Sequence, residues 1–169
     1  MTDSIRILES VESISALLEN AGYVDVKAFT SRNSMHDFLI RLMTYQPYWL
    51  TLLYRIRGVV ADLFGLKHDE LFKGNSDVSE YDFNAGGRVD FFTSVDFKPE
   101  KYWIGEATDR HLSGCIGVVA EPEMNGNARF YIFTIVHYRH WTGPLYFNLI
   151  RPFHHIVVYF MGKYAAKKV

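Results

Sequence analysis

A single cysteine, Cys115, stands among 169 residues. No disulfide can form within the chain, and this usage favours a reducing, intracellular setting. Net charge is nearly absent too. The 18 Lys and Arg against 19 Asp and Glu leave -1, so no long-range field gathers nucleic acid or anionic lipid. Long apolar runs are missing. The richest, Ile156 to Met161, falls far short of the ~18 residues of a membrane span. The opening residues Met1-Thr2-Asp3-Ser4-Ile5-Arg6 lack the basic-then-apolar order of a secretory signal. There is no internal repeat and no low-complexity tract. The expectation is a soluble, cytoplasmic protein of one domain, residues 1–169, with 1–22 as a helical or irregular lead-in.

Several kinds of chemistry lack their residues. His137 and His140 have odd spacing on a strand and fall on opposite faces. His154 and His155 are neighbours on a helix and diverge by about 100°. Neither pair makes a metal-ligand set, and no cofactor is expected. Gly86-Gly87-Arg88 is too short to cradle a phosphate and reads as a turn. No nucleophile elbow or triad pattern is present. No basic patch with interleaved aromatics offers a nucleic-acid platform. Lys163, Lys167 and Lys168 complement the dipole of a closing helix.

Aromatic residues, by contrast, are abundant: 16%, with 13 Phe and 11 Tyr. That content suits a thick core, a pocket wall or an interface. Along the chain, Ile14, Leu17, Leu18 and Ala21 share a helical face within residues 4–21. Tyr23 to Phe29 alternates with the period of a half-buried strand. Ser34-Met35-His36-Asp37 resembles a capping box with Asp in place of Glu, and Phe38, Leu39, Leu42 and Met43 form the stripe of the helix it opens. Pro47 breaks that helix. A second helix is expected beyond it, with Trp49, Leu52, Leu53, Ile56, Val60 and Leu63 as its stripe and Gly65 at its end.

Turn residues at Gly74–Asp77 and Asn84–Gly87 flank a segment with room for a strand. Strands then dominate. Val89, Phe91, Thr93, Val95 and Phe97 alternate as one strand; Tyr102 to Ala107, His111 to Ala120 and Arg129 to His140 follow. Turns are read at Lys98-Pro99-Glu100, Asp109-Arg110 and Asn125-Gly126-Asn127. Gly143-Pro144 opens a terminal helix whose stripe is Leu149, Phe153, Ile156, Val157, Phe160 and Tyr164. Pro152 lacks the amide that would bond the Asn148 carbonyl, which predicts a kink or a restart. Strand, two helices, several antiparallel strands and a long helix make an α+β fold: a curved sheet wrapped around its last helix.

Tyr102-Trp103-Ile104-Gly105-Glu106, Asp109-Arg110-His111-Leu112, Gly143-Pro144-Leu145-Tyr146-Phe147 and Arg151-Pro152-Phe153-His154 resemble the bacterial family catalogued as domain of unknown function 2867. The likeness spans roughly residues 23–165. The family resembles the START-like, helix-grip superfamily, whose members bind apolar or amphipathic small molecules in a cavity, a minority of them as enzymes. Where the family tends to carry Asp-Phe-Arg-like residues after His-Leu, this chain has Ser113-Gly114-Cys115, and a charged pair there is not carried over.

The resemblance implies a helix-grip fold with an apolar cavity. Tyr102, Glu106, His111 and His154 are the candidate polar anchors, with Cys115, Phe133 and Val157 among the apolar wall. Glu106, Asp109 and His111 could form a carboxylate-oriented base, although a polar strand end is the commoner meaning of such a cluster. His154 shares a stripe with Ile150, Val157 and Met161 and faces inward; His155 lies with Arg151 and faces outward. Cys115, between Gly114 and Gly117, is a buried structural thiol, and the glycines let a ligand or the last helix approach the sheet. Strand 130–138, apolar on both faces, needs cover from residues 4–21 or from a second copy in a homodimer.

Three functions fit. The first is a non-catalytic binder of a small apolar or amphipathic ligand, lipid-like or aromatic. The second is a cyclase- or hydratase-like enzyme with His111 or His154 as acid/base. The third is an interaction domain with a filled core. A cavity of ~300 Å³ or more would favour the first two.

Overall fold

The computed structural model describes residues 2–49, 77–108 and 111–168. The helix expected after Pro47, the turn chemistry at 74–76 and the turn at Asp109-Arg110 lie outside these residues. Helices α1 (Thr2–Glu9) and α2 (Glu12–Leu18) precede strand β1 (Tyr23–Ser31) and helix α3 (Met35–Thr44). Strands β2 (Arg88–Val89), β3 (Phe92–Lys98), β4 (Tyr102–Thr108), β5 (Leu112–Pro122) and β6 (Ala128–Tyr138) lead to the long helix α4 (Gly143–Ala165). The six strands form one antiparallel sheet in the order β1-β6-β5-β4-β3-β2. This is the expected α+β, helix-grip arrangement of a curved sheet and a long C-terminal helix.

The register sorts the side chains onto two faces. On the face toward α3 and α4 stand Phe130, Ile132, Thr134 and Val136 of β6, opposite Ala120, Val118, Ile116 and Gly114 of β5. Phe38 of α3 stacks on Phe130 with centroids 4.0 Å apart. Trp103 is fully buried on this face, and its indole N–H donates to Ser94 Oγ at 2.8 Å, as a buried indole requires. Ser34 caps α3 as expected: its Oγ accepts from the Asp37 amide at 3.1 Å and donates to the Asp37 carboxylate at 2.7 Å. Such a cap contributes about 1 kcal/mol.

The opposite face carries Tyr131, Phe133 and Ile135, packed with Leu8 and Ile14 of α1 and α2. The N-terminal residues thus supply cover for the second face of β6. They do so as two helices rather than one, turning at Ser10, whose hydroxyl donates to the Ile7 carbonyl at 2.7 Å. Burying Leu8 and Ile14 contributes roughly 1.5–3 kcal/mol each.

Three expectations need correction. Residues 89–97 are not one strand. Asp90 adopts φ +56° and reverses the chain, so that Val89 pairs with Phe92. A bulge between Ser94 and Asp96 then leaves Val95 outside the alternation, 41% exposed. The segment before Asn84 holds a short 3-10 turn, Val78–Glu80, and not a strand. The stripe assigned to α4 is turned away from the sheet: Leu149, Phe153, Ile156, Phe160 and Tyr164 are exposed, and Tyr146, Phe147, Val158, Gly162 and Ala165 are buried. This helix is apolar nearly all round, so periodicity could not choose a face. It also runs through Pro152 without a restart. Pro152 and Asn148 both lie on its exposed side, where water can take up the unpaired carbonyl.

Glycines set the spacings. At Gly162 a Cβ would lie 2.2 Å from Phe29 Cε2, so α4 meets the sheet closely at its C-terminal half. At Gly117 a Cβ would lie 2.3 Å from Phe133 Cζ and 2.5 Å from the Trp103 carbonyl oxygen. The second neighbour is backbone and cannot move alone. Gly117→Ala is therefore expected to destabilise the fold by about 1–3 kcal/mol, read as a lower urea midpoint at unchanged m-value.

Candidate functional site

Where the C-terminal half of α4 presses on the sheet, its N-terminal half leaves room. A cavity of about 160 Å³ lies there, half the ~300 Å³ at the lower end of drug-sized sites. Leu112, Gly114, Cys115 and Ile116 of β5 form its floor with Thr134 and Val136 of β6. Tyr146, Phe147, Ile150 and His154 of α4 form its roof. Ala107 and Thr108 close one side, together with Phe91 and Phe92, which the Asp90 turn brings round.

The lining is largely apolar and contains no carboxylate or cation among the described residues. Its clearest polar feature is His154, whose Nε2 lies 3.1 Å from Thr134 Oγ1. Gly114 matters here for space. A Cβ built on it finds nothing nearer than the Ala107 carbonyl oxygen at 3.8 Å, so the absent side chain is part of the cavity.

Of the residues singled out from sequence, His154 and Cys115 line this cavity. Cys115 does so from the floor, pairing with Ile135 on the opposite face and packing in the cluster covered by α1 and α2. Tyr102, Glu106 and Phe133 also belong to that opposite face. The Tyr102 hydroxyl donates to Asp96 at 2.9 Å. Glu106 accepts from Ser113 Oγ, and from Thr108 Oγ1 at 3.2 Å. Phe133 is fully buried. His111 stands where β5 begins, its Nδ1 2.8 Å from Thr142 Oγ1 at the start of α4. Val157 is half-buried on α4 and is not among the lining residues. Asp109 lies outside the described residues, so the Glu106–Asp109–His111 group is represented by two residues that point to different neighbours.

Sequence reading missed Thr134 and Phe147; it did take Gly114 as a place where a ligand or the last helix could approach the sheet, and the cavity lies over it. It also missed a polar cluster beside the cavity. Tyr23, Asp25 and Lys27 of β1 face α4, and His155 reaches down to them: Lys27 Nζ lies 3.0 Å from His155 Nδ1 and also pairs with Asp25, while the Tyr23 hydroxyl is 2.8 Å from His155 Nε2. His155 was expected to face outward; its ring is instead held by the sheet. The signal was available in the alternation of β1, which puts a phenol, a carboxylate and an ammonium on one face of a strand read as half-buried. Among the described residues, no three His, Cys, Asp or Glu side chains gather to hold a metal ion, and no helix is long and apolar enough to cross a membrane.

Burial pushes the Cys115 thiol up to about 12, with the Glu106 carboxylate adding to the effect. A nucleophilic cysteine needs the opposite shift. At pH 8 the native thiolate is expected to be roughly a thousandfold scarcer than for an ordinary thiol. Ellman's reagent should therefore leave the folded protein untouched and titrate one thiol after denaturation.

No curated protein matches the chain. A family match covers residues 17–161, under the description "Protein of unknown function (DUF2867)". It takes in every element from β1 to the cavity-lining part of α4, and the chain belongs to that family.

Proposed function

We propose that this protein binds a small apolar or amphipathic molecule in the cavity between the sheet and the N-terminal half of α4, without catalysing its conversion. The observation that carries this reading is the unfilled, apolar space itself, placed under a helix that packs tightly at its other end. The likeness of the sequence to START-like helix-grip proteins supports it. The volume narrows the ligand. An apolar cavity of about 150 Å³ accommodates benzene, so a space of about 160 Å³ suits one ring or a short chain and is too small for a two-chain lipid.

Two features weigh against an enzyme. Among the described residues, the lining is largely apolar and includes no carboxylate, and the thiol on its floor is shifted away from reactivity. At about 160 Å³ the cavity falls short of the ~300 Å³ criterion, but because the space is unfilled it counts against an interaction domain with a filled core.

Gly114→Val gives the test. A Cβ at position 114 meets only ordinary van der Waals contacts, the nearest being the Ala107 carbonyl oxygen at 3.8 Å, so a side chain there has room to enter the cavity, and a β-branched residue suits a strand. Native mass spectrometry with solvent extraction should find a stoichiometric small molecule on the purified wild type, or on protein exposed to a library of one-ring compounds. The Gly114→Val protein should stay folded, with an equal or higher Tm, and carry none. Equal loading of the two proteins would exclude the cavity as the binding place.

A further inference from the structure

The cluster on β1 has a proton count that can be worked out. Asp25 and Lys27 are only 17% and 16% exposed, a depth charged groups rarely reach unless paired. They are paired with each other, and Lys27 also meets His155 Nδ1 at 3.0 Å. An ammonium can only donate, so Nδ1 is the acceptor; an N–H there would set two donors head-on. The proton of the neutral ring then sits on Nε2, and Nε2–H donates to the Tyr23 oxygen 2.8 Å away. If His155 gained a second proton, Nδ1–H would serve Asp25 Oδ2, 3.4 Å away, and Nε2–H would still donate to Tyr23. In both states the Tyr23 oxygen accepts and its own proton is uncommitted. Burial pushes Tyr23 up to about 12, so the hydroxyl keeps that proton. Among the described residues, no acceptor takes it.

Two neighbours give this donor a direction. The Tyr23 ring packs on Phe147 with centroids 4.8 Å apart, and Phe147 lines the cavity, as does Val136, the strand partner of Tyr23. Arg151, one helical turn before His155, is exposed, and its charge acts on both Tyr23 and Tyr138. Asp25 is already matched by Lys27, and Arg151 makes no ion pair among the described residues, so the β1–α4 flank beside the cavity carries one more positive than negative charge among those residues; Tyr23 and Arg151 stand at this flank and not in the lining itself.

We propose that Tyr23 and Arg151 form a donor site for an anionic oxygen, a carboxylate by preference, on the small apolar molecule whose body occupies the cavity. The site rests on the cavity being a ligand site. His155 is its positioning residue, fixing the Tyr23 oxygen through Nε2–H. The ligand class becomes a small aromatic or short-chain carboxylic acid.

Toluene and benzoate share a ring and differ in the group that would meet Tyr23. Each is titrated into 15N-labelled protein, with the amides of Gly114, Val136 and Ile150 as reporters. Both should shift the reporters, with benzoate at least about tenfold tighter. Tyr23→Phe and Arg151→Gln should each weaken benzoate by about tenfold and leave toluene within about twofold. Arg151 is exposed, so Arg151→Gln should leave the Tm within about 1 °C of wild type. His155→Phe, which keeps a ring but removes Nε2–H, should weaken benzoate and spare toluene. If toluene shifts the reporters and benzoate binds no tighter, or if Tyr23→Phe weakens both probes equally, the donor site is wrong and the cavity stands. If neither probe shifts the reporters, the cavity reading fails and takes the donor site with it.

Discussion

Strand β6 has no side to give to water. Every residue from Phe130 to Val136 is buried, and successive side chains point to opposite faces, so both faces must be covered. An antiparallel sheet often leaves one face solvated; this one does not. The short helices α1 and α2 cover one face and α3 with α4 the other. The two covers differ in kind. The first is dense, built on Leu8, Ile14 and Phe133, all fully buried. The second is dense only where Gly162 and Ala165 bring α4 down. The cavity follows from that inequality: a long helix over a curved sheet meets it closely at one end and leaves room at the other.

Much of this was written in the sequence. The Ser34 cap, the alternation of β1, the strands from Tyr102 onward and the Gly143-Pro144 helix start all rest on local rules that tertiary packing did not override. The failures have physical causes. A bulge at Val95 and a left-handed Asp90 break one run of alternation into two, and neither leaves a composition signal strong enough to read. The face of α4 was misjudged because the helix is apolar on both sides. The inward row is distinguished by small residues, Gly162 and Ala165, and not by greater hydrophobicity. The site suffered most. A residue's strand face depends on register, and Tyr102, Glu106 and Phe133 fall together on the face away from the cavity. His154, read from its helical stripe with Ile150, needed no register, and it lines the cavity with Ile150.

The concave face grades from apolar to charged. Above Gly114 the walls are apolar; Thr134 and His154 add polar groups to them; beside the cavity, Asp25 and Lys27 form an ion pair next to His155. Burying an ion pair usually costs more in lost hydration than the pair returns. Apolar residues of the same volume would serve packing between β1 and α4 at least as well, so the cluster is hard to explain as a stabilising device. Its hydrogen bonds do fix one tautomer of His155, which a packed apolar contact could not do.

The sheet order has a temporal consequence. Among the described residues, β1 lies at an edge and pairs with β6 alone, Tyr23 opposite Val136 and Ser31 opposite Ala128. Until the chain has been synthesised past those residues, the first strand has no partner, and its amides and carbonyls stand open to any other strand edge. Closing a contact over about a hundred residues is slow, and slowly closing sheets are exposed to mispairing. Asp25 and Lys27, which face α4 in the folded protein, give the nascent strand one face on which another chain would have to bury charge.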